Sequence, residues 1–390
     1  MAPLPVDALV VGGGVAGLFL LHALRASGRS ALLVERSALG TGQTTSSQGI
    51  LHAGVKYALG GVAGDDANEA SDAAALWQEF LAGSGNPDLR GLRVLARNEY
   101  LWRTASLMGA AGMLGARLAL RTRPSAVAAS ERPAWLAGVR GDVLSLPETV
   151  IDPADLLARL AAAVPGLIGL GEVASLRPGS HGVSVQVRGP SGTLELQAGT
   201  VFLTAGAGNE ALLAMAGLSD HEPMQRRPLR QAMVRGDLPE VFGHCIDGAK
   251  TRITVTSDRD GARTVWHIGG ELAENGPAVD EPEFLERART EVAGCLPGVD
   301  LRQAEWSSYL VDRAEPRTRD GRRPSAAHVS AAGRVVTVWP VKLVLAPRAA
   351  REAVAHAEPS GAASAGWPTG WPVPAVAARP WHEAAWSRLP

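Results

Sequence analysis

Residues 7–17, with the sequence DALVVGGGVAG, decide the fold of this 390-residue chain. Their first five residues form a short apolar run that is typical of a buried parallel strand. The glycines that follow have the GxGxxG spacing, and the helical pattern after them stops at Gly28. A second apolar run then ends in Glu35. This order of strand, glycine turn, helix, strand and acid predicts a dinucleotide-binding βαβ unit in an α/β fold.

Each glycine of the GxGxxG spacing has a separate physical role. Gly12 makes the tight turn, Gly14 lets the backbone approach a pyrophosphate, and Gly17 lets helix and strand pack closely. The N-terminus of the helix offers free N–H groups to the phosphates. A carboxylate at Glu35 can accept both ribose hydroxyls, which disfavours NADP and leaves NAD and FAD open.

The segment after Glu35 separates these two cofactors. Residues 40–61, GTGQTTSSQGILHAGVKYALGG, contain too many Gly, Ser and Thr residues for a helix or a strand. A long loop rich in hydroxyls and bare backbone suits a polyhydroxylated phosphate ligand. FAD has a ribityl chain and NAD has none, so the loop favours FAD.

This loop is similar to that of the D-amino-acid-oxidase-like superfamily, which includes glycine oxidase, glycerol-3-phosphate dehydrogenase and L-2-hydroxyglutarate oxidase. The pattern His52-x-Gly54-x-x-Tyr57 looks most like the last two. The resemblance implies that His52 lies beside the isoalloxazine, either as a base for a substrate hydroxyl or as a scaffold histidine. It also implies a set of FAD contacts: Gly12, Gly14, Gly17, Glu35, Arg36, Thr44, Thr45, Ser46, Ser47, Gln48, Gly49, Val173, Gly206, Val341, Lys342 and Leu343.

The C-terminal third resembles the FAD-closing element of glycine-oxidase-like enzymes over residues 316–321 and 343–347. In amino-acid oxidases an arginine that clamps the substrate carboxylate precedes the first proline, but this chain has Glu315, which would repel a carboxylate. Three interpretations are open. Arg313 takes the clamp role, Glu315 anchors a cationic amine, or the two side chains pair structurally.

Lys342 stands where the last helix begins, at a turn in which family members often carry glycine. An ammonium there would stabilise the negative charge of reduced flavin. It could instead lie near flavin N5 and help oxygen react, or be a solvated lysine on the rim.

The predicted architecture is a Rossmann-like FAD-binding domain with a discontinuous antiparallel-sheet (α+β) substrate domain. We assign residues 1–75, 145–212 and 305–357 to the first, and residues 76–144 and 213–304 to the second. Strand-like runs over 224–272 predict the antiparallel sheet, with these candidates for inward-pointing side chains: Arg230, His244, Lys250, Arg252 and His267. The Trp/Pro-rich tail, 358–390, is either packed on the protein, a homodimer contact or an interfacial membrane anchor.

Other elements have local signals of their own. Residues 69–82 and 107–120 have helical patterns, and Asp152 followed by Pro153 predicts the start of another helix. The runs GVSVQVRG and TLELQA predict a hairpin, and a separate apolar strand follows them and ends in a small-residue turn at 204–208.

Composition limits the other classes of function. The net charge of −1 gives no support for nucleic-acid binding. The two cysteines, Cys245 and Cys295, form no CxxC motif and no metal-ligand cluster, so we expect free thiols and no metal. The chain has no signal-peptide pattern and no apolar stretch long enough for a transmembrane span, and we expect a cytoplasmic protein.

These observations predict an FAD-dependent oxidase or dehydrogenase for a small molecule. We expect hydride transfer to flavin N5 from a C–H bond next to a hydroxyl, in a 2-hydroxy acid or a polyol phosphate, with oxygen or a quinone as electron acceptor. The main alternative is an amine or imino-acid oxidase of the glycine oxidase type. A flavin-binding protein without turnover and an NAD-dependent dehydrogenase are lesser alternatives.

Overall fold

A computed structural model describes residues 2–52, 65–104, 125–248, 250–321, 324, 326–359 and 366–389. Gly54, Tyr57 and the helix expected at 107–120 lie outside the described residues. In chain order, the strands are β1 (Leu4–Val11), β2 (Ala31–Glu35), β3 (Ile50–Leu51), β4 (Val94–Ala96), β5 (Glu99–Arg103), β6 (Ser125–Ala126), β7 (Val143–Leu146), β8 (Thr149–Ile151), β9 (Ile168–Leu170), β10 (Glu172–Pro178), β11 (Val183–Gly189), β12 (Gly192–Leu203), β13 (Met224–Gly236), β14 (Gly243–Asp247), β15 (Lys250–Asp260), β16 (Arg263–Gly269), β17 (Glu305–Pro316), β18 (His328–Ala332), β19 (Val335–Trp339) and β20 (Ser387–Arg388). The α-helices are α1 (Val15–Ala26), α2 (Asp65–Ala82), α3 (Pro153–Ala162), α4 (Asn209–Met215), α5 (Glu271–Asn275), α6 (Glu281–Cys295) and α7 (Ala346–Val354).

The first sheet confirms the Rossmann-like prediction. Its strand order is β10-β11-β12-β1-β2-β9, with β19 beside β12 and β18 beyond it. Strand β1 is parallel to both β2 and β12, and β12 is parallel to β19. The carboxyl ends of these parallel strands therefore meet at one edge, where such folds bind their ligands.

One strand of this sheet differs from the prediction. We expected separate strands within residues 192–204, whereas β12 is continuous over twelve residues. Its first half alternates between exposed and buried positions and pairs antiparallel with β11, and its second half is buried throughout and pairs parallel with β1. The change of pattern marks entry into the centre of the sheet, because a central strand is covered on both faces.

Both ends of the chain contribute to the core of this sheet. Helix α1 buries Leu18, Phe19 and Leu21 and packs against α7. Helix α2, expected at 69–82, places the Trp77 indole N–H 2.9 Å from the Val344 carbonyl oxygen. The segment before α7 is thereby fixed beside the first βαβ unit.

The second sheet contains nine strands in the order β20-β17-β13-β16-β15-β14-β5-β7-β6. All of its pairs are antiparallel except β14 with β5. The predicted boundary at residue 305 needs correction, because β17 pairs with β13 along its whole length, from Glu305 to Pro316. Residues 305–316 therefore belong to the substrate-side sheet, since their backbone hydrogen bonds are made there.

We call the hydroxyl-rich loop that begins at residue 40 the cofactor loop. A small sheet, β3-β8-β4, joins it to the rest of the molecule. Gly49 has φ +75°, and a Cβ there would lie 2.0 Å from the Ile151 carbonyl oxygen, so this approach requires glycine. Asp152 caps α3 as predicted, with its carboxylate accepting from Ala154 N at 2.9 Å and with Pro153 at the first helical position. His52 directly follows β3, so this small sheet fixes the position of its backbone.

The C-terminal tail packs on both sheets over residues 366–389, as one of the three interpretations expected. The Trp371 indole N–H donates to the Leu170 carbonyl oxygen at 3.0 Å. Backbone hydrogen bonds join Leu39 to residues 375 and 377, and β20 pairs with β17. Trp381 is 2% exposed and packs against the second sheet. Among the described residues, no helix is both long and apolar enough to cross a membrane.

Candidate active site

The glycine turn after β1 has the geometry that its sequence predicts. Gly12 has φ +114°, and a Cβ there would lie 2.6 Å from the Ala205 Cα atom. A Cβ on Gly17 would lie 2.0 Å from the Gly12 carbonyl oxygen. A Cβ on Gly14 would meet only the Thr44 Oγ1 atom, at 3.3 Å. The space in front of Gly14, at the N-terminus of α1, is therefore suited to a phosphate group.

Glu35 lies at the carboxyl end of β2, directly beside this turn. Its carboxylate accepts from Gly13 N at 2.7 Å and from Ser37 N at 3.0 Å. Its carbonyl oxygen accepts from Gly171 N at 2.8 Å, which brings the Val173 segment to the same end of the sheet. Arg36 is exposed at the next position. The three predicted contacts Glu35, Arg36 and Val173 are thus on neighbouring segments.

The hydroxyl-rich loop is folded as turns over residues 41–46 and divides its side chains between two tasks. The Thr44 hydroxyl oxygen lies 3.3 Å from Val15 N, at the N-terminus of α1. The Thr45 and Ser47 hydroxyls donate to carbonyl oxygens of the loop itself, at 3.0 and 2.8 Å. Thr44 is therefore placed to face a ligand, whereas the side chains of Thr45 and Ser47 shape the loop.

Two amides of the loop reach the second sheet. Gln48, a predicted contact, donates from Nε2 to the carbonyl oxygens of Thr254 at 3.0 Å and His267 at 2.8 Å. Gln43, which the sequence analysis did not single out, accepts from Ala314 N at 3.0 Å. In the sequence, Gln43 is distinguished by its position within the loop of residues 40–61. These bonds hold the loop between the two sheets.

The turn after β12 closes the glycine cradle from the other side. The Thr204 hydroxyl donates to the carbonyl oxygens of Val11 and Gly12, at 3.0 and 2.9 Å. Gly206 follows with φ +55°. The predicted small-residue turn is therefore in contact with the first βαβ unit.

The turn between β19 and α7 contains a β-branched residue in an unusual conformation. Val341 has φ +61°, which is strongly disfavoured for valine and is often a sign of a functional constraint. Lys342 follows and is 6% exposed, so the interpretation as a solvated rim lysine is wrong. Leu343 begins a 3₁₀ turn that packs against β3. The end of the hydroxyl-rich loop at β3 and the turn at 341–343, which the resemblance places at the flavin, are therefore neighbours in the structure.

The two candidates on β17 do not pair with each other, contrary to the structural interpretation. Glu315 is 1% exposed and accepts from Arg227 Nε at 2.9 Å and from Nη2 at 3.2 Å. Arg313 Nη1 lies 3.1 Å from Glu274 Oε1. Arg227 was missed by the sequence analysis, because its proximity to Glu315 depends on the register of β13 against β17.

His52 belongs to a group of four titratable side chains from separate elements. Its Nδ1 lies 3.2 Å from Oε2 of Glu148, a residue in the turn between β7 and β8. His244 Nε2, on β14, lies 3.5 Å from Oε2 of Glu99 on β5 and 4.0 Å from Oε2 of Glu148. The two imidazole rings are 5.7 Å apart. We call these four residues the His–Glu cluster.

The other candidates on the second sheet divide into outward and inward side chains. Lys250 is exposed and pairs with Glu271 at 2.8 Å, and Arg252 pairs with Glu291 at 2.6 Å, so neither is placed for a ligand. His267 is buried and contacts the Tyr309 hydroxyl. Burial, and to a lesser degree the nearby positive charge of Arg379, lower the pKa of His267 to about 3.

Arg230, the remaining candidate, is positioned by packing. Its guanidinium lies 5.8 Å from the centre of the Phe284 ring, and its Nη1 lies 3.5 Å from the Ser308 hydroxyl. Of the five candidates, only His244 joins the His–Glu cluster.

The sequence profile of the FAD-dependent oxidoreductase family named DAO matches residues 7–342. The chain belongs to the DAO family of FAD-dependent oxidoreductases. A probable FAD-dependent oxidoreductase of Pseudomonas aeruginosa is 41% identical over 366 residues, which are 92% of each chain. The crystal structure of an FAD-dependent oxidoreductase from the same species has a TM-score of 0.81, covering 98% of this chain and 99% of that one, with 36% identity over this longer alignment.

More distant DAO-family structures share the fold. Glycine oxidase from Geobacillus kaustophilus has a TM-score of 0.64 and 18% identity, covering 91% of this chain and 96% of that one. The L-α-glycerophosphate oxidase of Mycoplasma pneumoniae, solved with FAD bound, has a TM-score of 0.63 and 17% identity, covering 90% and 94%. At these identities the likeness is one of architecture.

FAD is the cofactor of this DAO-family enzyme, and the residues present fit it. The cradle leaves room at Gly14, at the N-terminus of α1, where a side chain would obstruct a pyrophosphate, and the Thr44 hydroxyl borders that space. The Glu35 carboxylate stands at the end of β2 for the ribose hydroxyls. Lys342 would place a positive charge on the segment that the family resemblance assigns to the flavin ring.

Proposed function

We propose that this enzyme oxidises a C–H bond next to a hydroxyl group, in a 2-hydroxy acid or a polyol phosphate. The observation that carries the proposal is the pair of His52 and Glu148, 3.2 Å apart at the end of the cofactor loop. Glu148 is 1% exposed, and an ionised carboxylate there would accept a hydrogen bond from Nδ1 of the neutral imidazole. In that tautomer Nε2 of His52 is the basic nitrogen.

The chemistry divides between the cofactor and the chain. FAD, when bound, supplies the two-electron acceptor for the hydride of the C–H bond. The His52 imidazole takes the hydroxyl proton, and the Glu148 carboxylate stabilises the imidazolium that results. A protonated Lys342 amine, on the segment that the family resemblance places at the flavin, would stabilise the negative charge of the reduced ring.

The amine alternative is supported less well. An amine would be attracted by a free carboxylate at Glu315, but both oxygens of Glu315 accept hydrogen bonds from Arg227. A cationic substrate would therefore compete with a bidentate guanidinium. The fold shared with glycine oxidase does not distinguish the substrates, because the same fold serves the glycerophosphate oxidase.

Two further features are proposed with the reaction. We place the enzyme in the cytoplasm, supported by Cys245 and Cys295, which are free and buried thiols. Oxygen or a quinone is the proposed electron acceptor, and the substrate is a small molecule. A homodimer is compatible with this assignment.

The test is bleaching of the visible flavin absorbance under anaerobic conditions. The purified FAD-bound enzyme is mixed with panels of 2-hydroxy acids, polyol phosphates and amines, and the rate of bleaching is recorded. We expect bleaching by a member of the first two panels, and a rate about 10²–10⁴-fold lower in His52→Asn. The matched control is His181→Asn, since His181 is exposed in the connection between β10 and β11, away from the site. Bleaching by amines alone, or a His52→Asn variant with the wild-type rate, would contradict the proposal.

A further inference from the structure

The C-terminal tail contacts the cofactor loop at two places, and the first is the residue before the loop begins. Leu39 forms a short β-bridge with the tail: its N–H donates to the Ala375 carbonyl oxygen at 2.8 Å, and its carbonyl oxygen accepts from Ala377 N at 2.9 Å. The next residue, Gly40, donates its N–H to the Gly13 carbonyl oxygen at 3.0 Å. The bridge therefore fixes the start of the loop beside the glycine turn.

The second contact is made by Arg379, which is 6% exposed. Its Nη2 lies 3.5 Å from the Ser47 carbonyl oxygen, and its Cζ atom lies 4.4 Å from the centre of the Trp381 ring. The neighbouring loop carbonyl, that of Ser46, accepts from the Tyr309 hydroxyl at 3.0 Å. Two consecutive carbonyl groups of the loop are thus held by the tail and by the second sheet.

Ser47 connects Arg379 with the cofactor cradle. The N–H and the hydroxyl of Ser47 both donate to the Thr44 carbonyl oxygen, at 3.1 and 2.8 Å. The Thr44 hydroxyl in turn borders the space at Gly14. A displacement of the Ser47 carbonyl group therefore reaches the cradle through a single turn of the chain.

The Arg379 guanidinium has fewer hydrogen bonds than it can make. Over the part of the chain that the structure describes, its Nε and Nη1 atoms are buried and have no hydrogen-bond partner. Asp152 and Asp258 act on its charge through space, but both are hydrogen-bonded to Arg93, at 3.0 and 2.7 Å. A buried cation with unbonded N–H groups costs folding free energy. Packing alone therefore gives no reason for an arginine at this position.

The cofactor loop gives a reason for the charge. Residues 40–52 contain no lysine and no arginine, whereas FAD carries an anionic pyrophosphate. Charges act over longer distances in a protein interior than in water, because the effective dielectric constant is lower there. A guanidinium fixed behind Ser47 therefore favours an anion bound by the loop without contacting that anion.

We propose that Arg379 is a positioning residue for FAD. It holds the Ser47 end of the loop whose Thr44 hydroxyl borders the cradle, and it adds the positive charge that the loop itself lacks. The tail lies beyond residues 7–342, which the family profile matches, so the profile does not describe this contact. The inference concerns the cofactor and is independent of the substrate proposed above.

The experiment uses the full-length enzyme and measures FAD binding and folding separately. FAD is removed and titrated back, and the unfolding free energy of each apoprotein is measured with denaturant. We expect Arg379→Met to weaken FAD binding by about 10- to 100-fold, the range for loss of a hydrogen bond to a charged group. The apoprotein of this variant should be at least as stable as the wild type, because an apolar side chain of similar length replaces the buried cation.

Two other arginine variants complete the set. Arg379→Lys should bind FAD within about threefold of the wild-type dissociation constant, because the ammonium keeps the charge and a donor for the Ser47 carbonyl. Arg388→Met is the matched control, since Arg388 is an exposed tail arginine on β20, and it should change neither FAD binding nor stability.

A pair of proline variants tests the bridge at the start of the loop. Ala377→Pro removes the N–H that donates to the Leu39 carbonyl oxygen, and we expect about fivefold weaker FAD binding. Ala375→Pro, on the same segment, keeps the carbonyl that accepts from Leu39 and should bind FAD as the wild type does.

Three results would overturn the proposal. The first is an Arg379→Met enzyme with the wild-type affinity for FAD. The second is an Arg379→Met apoprotein that loses as much unfolding free energy as binding free energy, because the side chain would then act in folding alone. The third is an Arg379→Lys enzyme that binds FAD as weakly as Arg379→Met, which would rule out a role for the charge.

Discussion

Replacing Gly14 by alanine should weaken FAD binding while leaving the unfolding free energy of the chain nearly unchanged. Gly14 has an extended backbone, φ −77° and ψ −178°, which alanine adopts without strain. Its new Cβ would lie 3.3 Å from the Thr44 hydroxyl oxygen and meet no other described atom within 4 Å, so we expect a change in unfolding free energy below about 1 kcal/mol. The methyl group would, however, stand in the space assigned to the pyrophosphate. Overpacking of that kind costs about 1–3 kcal/mol, which corresponds to about 5- to 150-fold weaker FAD binding.

Two other glycines provide the comparison. Gly17→Ala puts a Cβ 2.0 Å from the Gly12 carbonyl oxygen, so α1 must move away from the turn by about 1 Å, and we expect loss of about 3 kcal/mol of stability together with FAD. Gly294→Ala places its Cβ 3.6 Å from Arg252, an ordinary contact far from the cradle, and should leave FAD binding unchanged. Because Gly294 lies within α6, this replacement should raise stability by up to about 1 kcal/mol.

The assay is titration of FAD into the apoprotein, followed by quenching of flavin fluorescence, with denaturant unfolding of each apoprotein measured in parallel. A Gly14→Ala protein that binds FAD with the wild-type dissociation constant would refute the placement of the pyrophosphate. A Gly14→Ala protein destabilised as much as Gly17→Ala would refute the separation of binding from folding.

Three further outcomes are expected. Glu315→Gln should lower the unfolding free energy by about 3 kcal/mol, because Arg227 loses a buried ionic partner, and Glu315→Leu combined with Arg227→Met should recover most of it in denaturant titrations. Burial and Arg379 lower the pKa of His267 to about 3, so the unfolded chain binds more protons than the folded chain between pH 3 and pH 6.5. The unfolding free energy should therefore fall by up to about 1.4 kcal/mol per pH unit below pH 6.5. His267→Gln should flatten that slope. Trp381→Ala should cost about 3–5 kcal/mol, and an unchanged denaturation midpoint would show that the tail contributes nothing to folding.

Features with a local signature were predictable from the sequence. The first βαβ unit and the cap of α3 at Asp152 and Pro153 follow from the spacing of residues within one or two turns of chain. The antiparallel strands over residues 224–272 follow from alternation. Each signal lies within a single element, so no knowledge of the tertiary structure is needed to detect it.

Features that depend on register or on long-range approach were not predictable. Arg227 and Glu315 are 88 residues apart and meet because β13 and β17 pair in one particular register. The partners of His52 come from three other elements, and nothing local to Glu99, Glu148 or His244 indicates that they converge. Composition identifies such residues as titratable, but only the fold decides which of them share a buried volume.

The cofactor loop shows why the substrate-side sheet and the tail matter for FAD. One end of the loop meets the N-terminus of α1 through Thr44, and the other meets the second sheet, where Gln48 donates to two strands and the Tyr309 hydroxyl donates to the Ser46 carbonyl oxygen at 3.0 Å. The tail adds Arg379, a guanidinium 4.4 Å above the Trp381 ring and 3.5 Å from the Ser47 carbonyl oxygen. Burial lowers the pKa of Arg379, so a cation is kept there against a desolvation cost. The described part of the loop is therefore held by hydrogen bonds to α1, to the second sheet and to the tail at once.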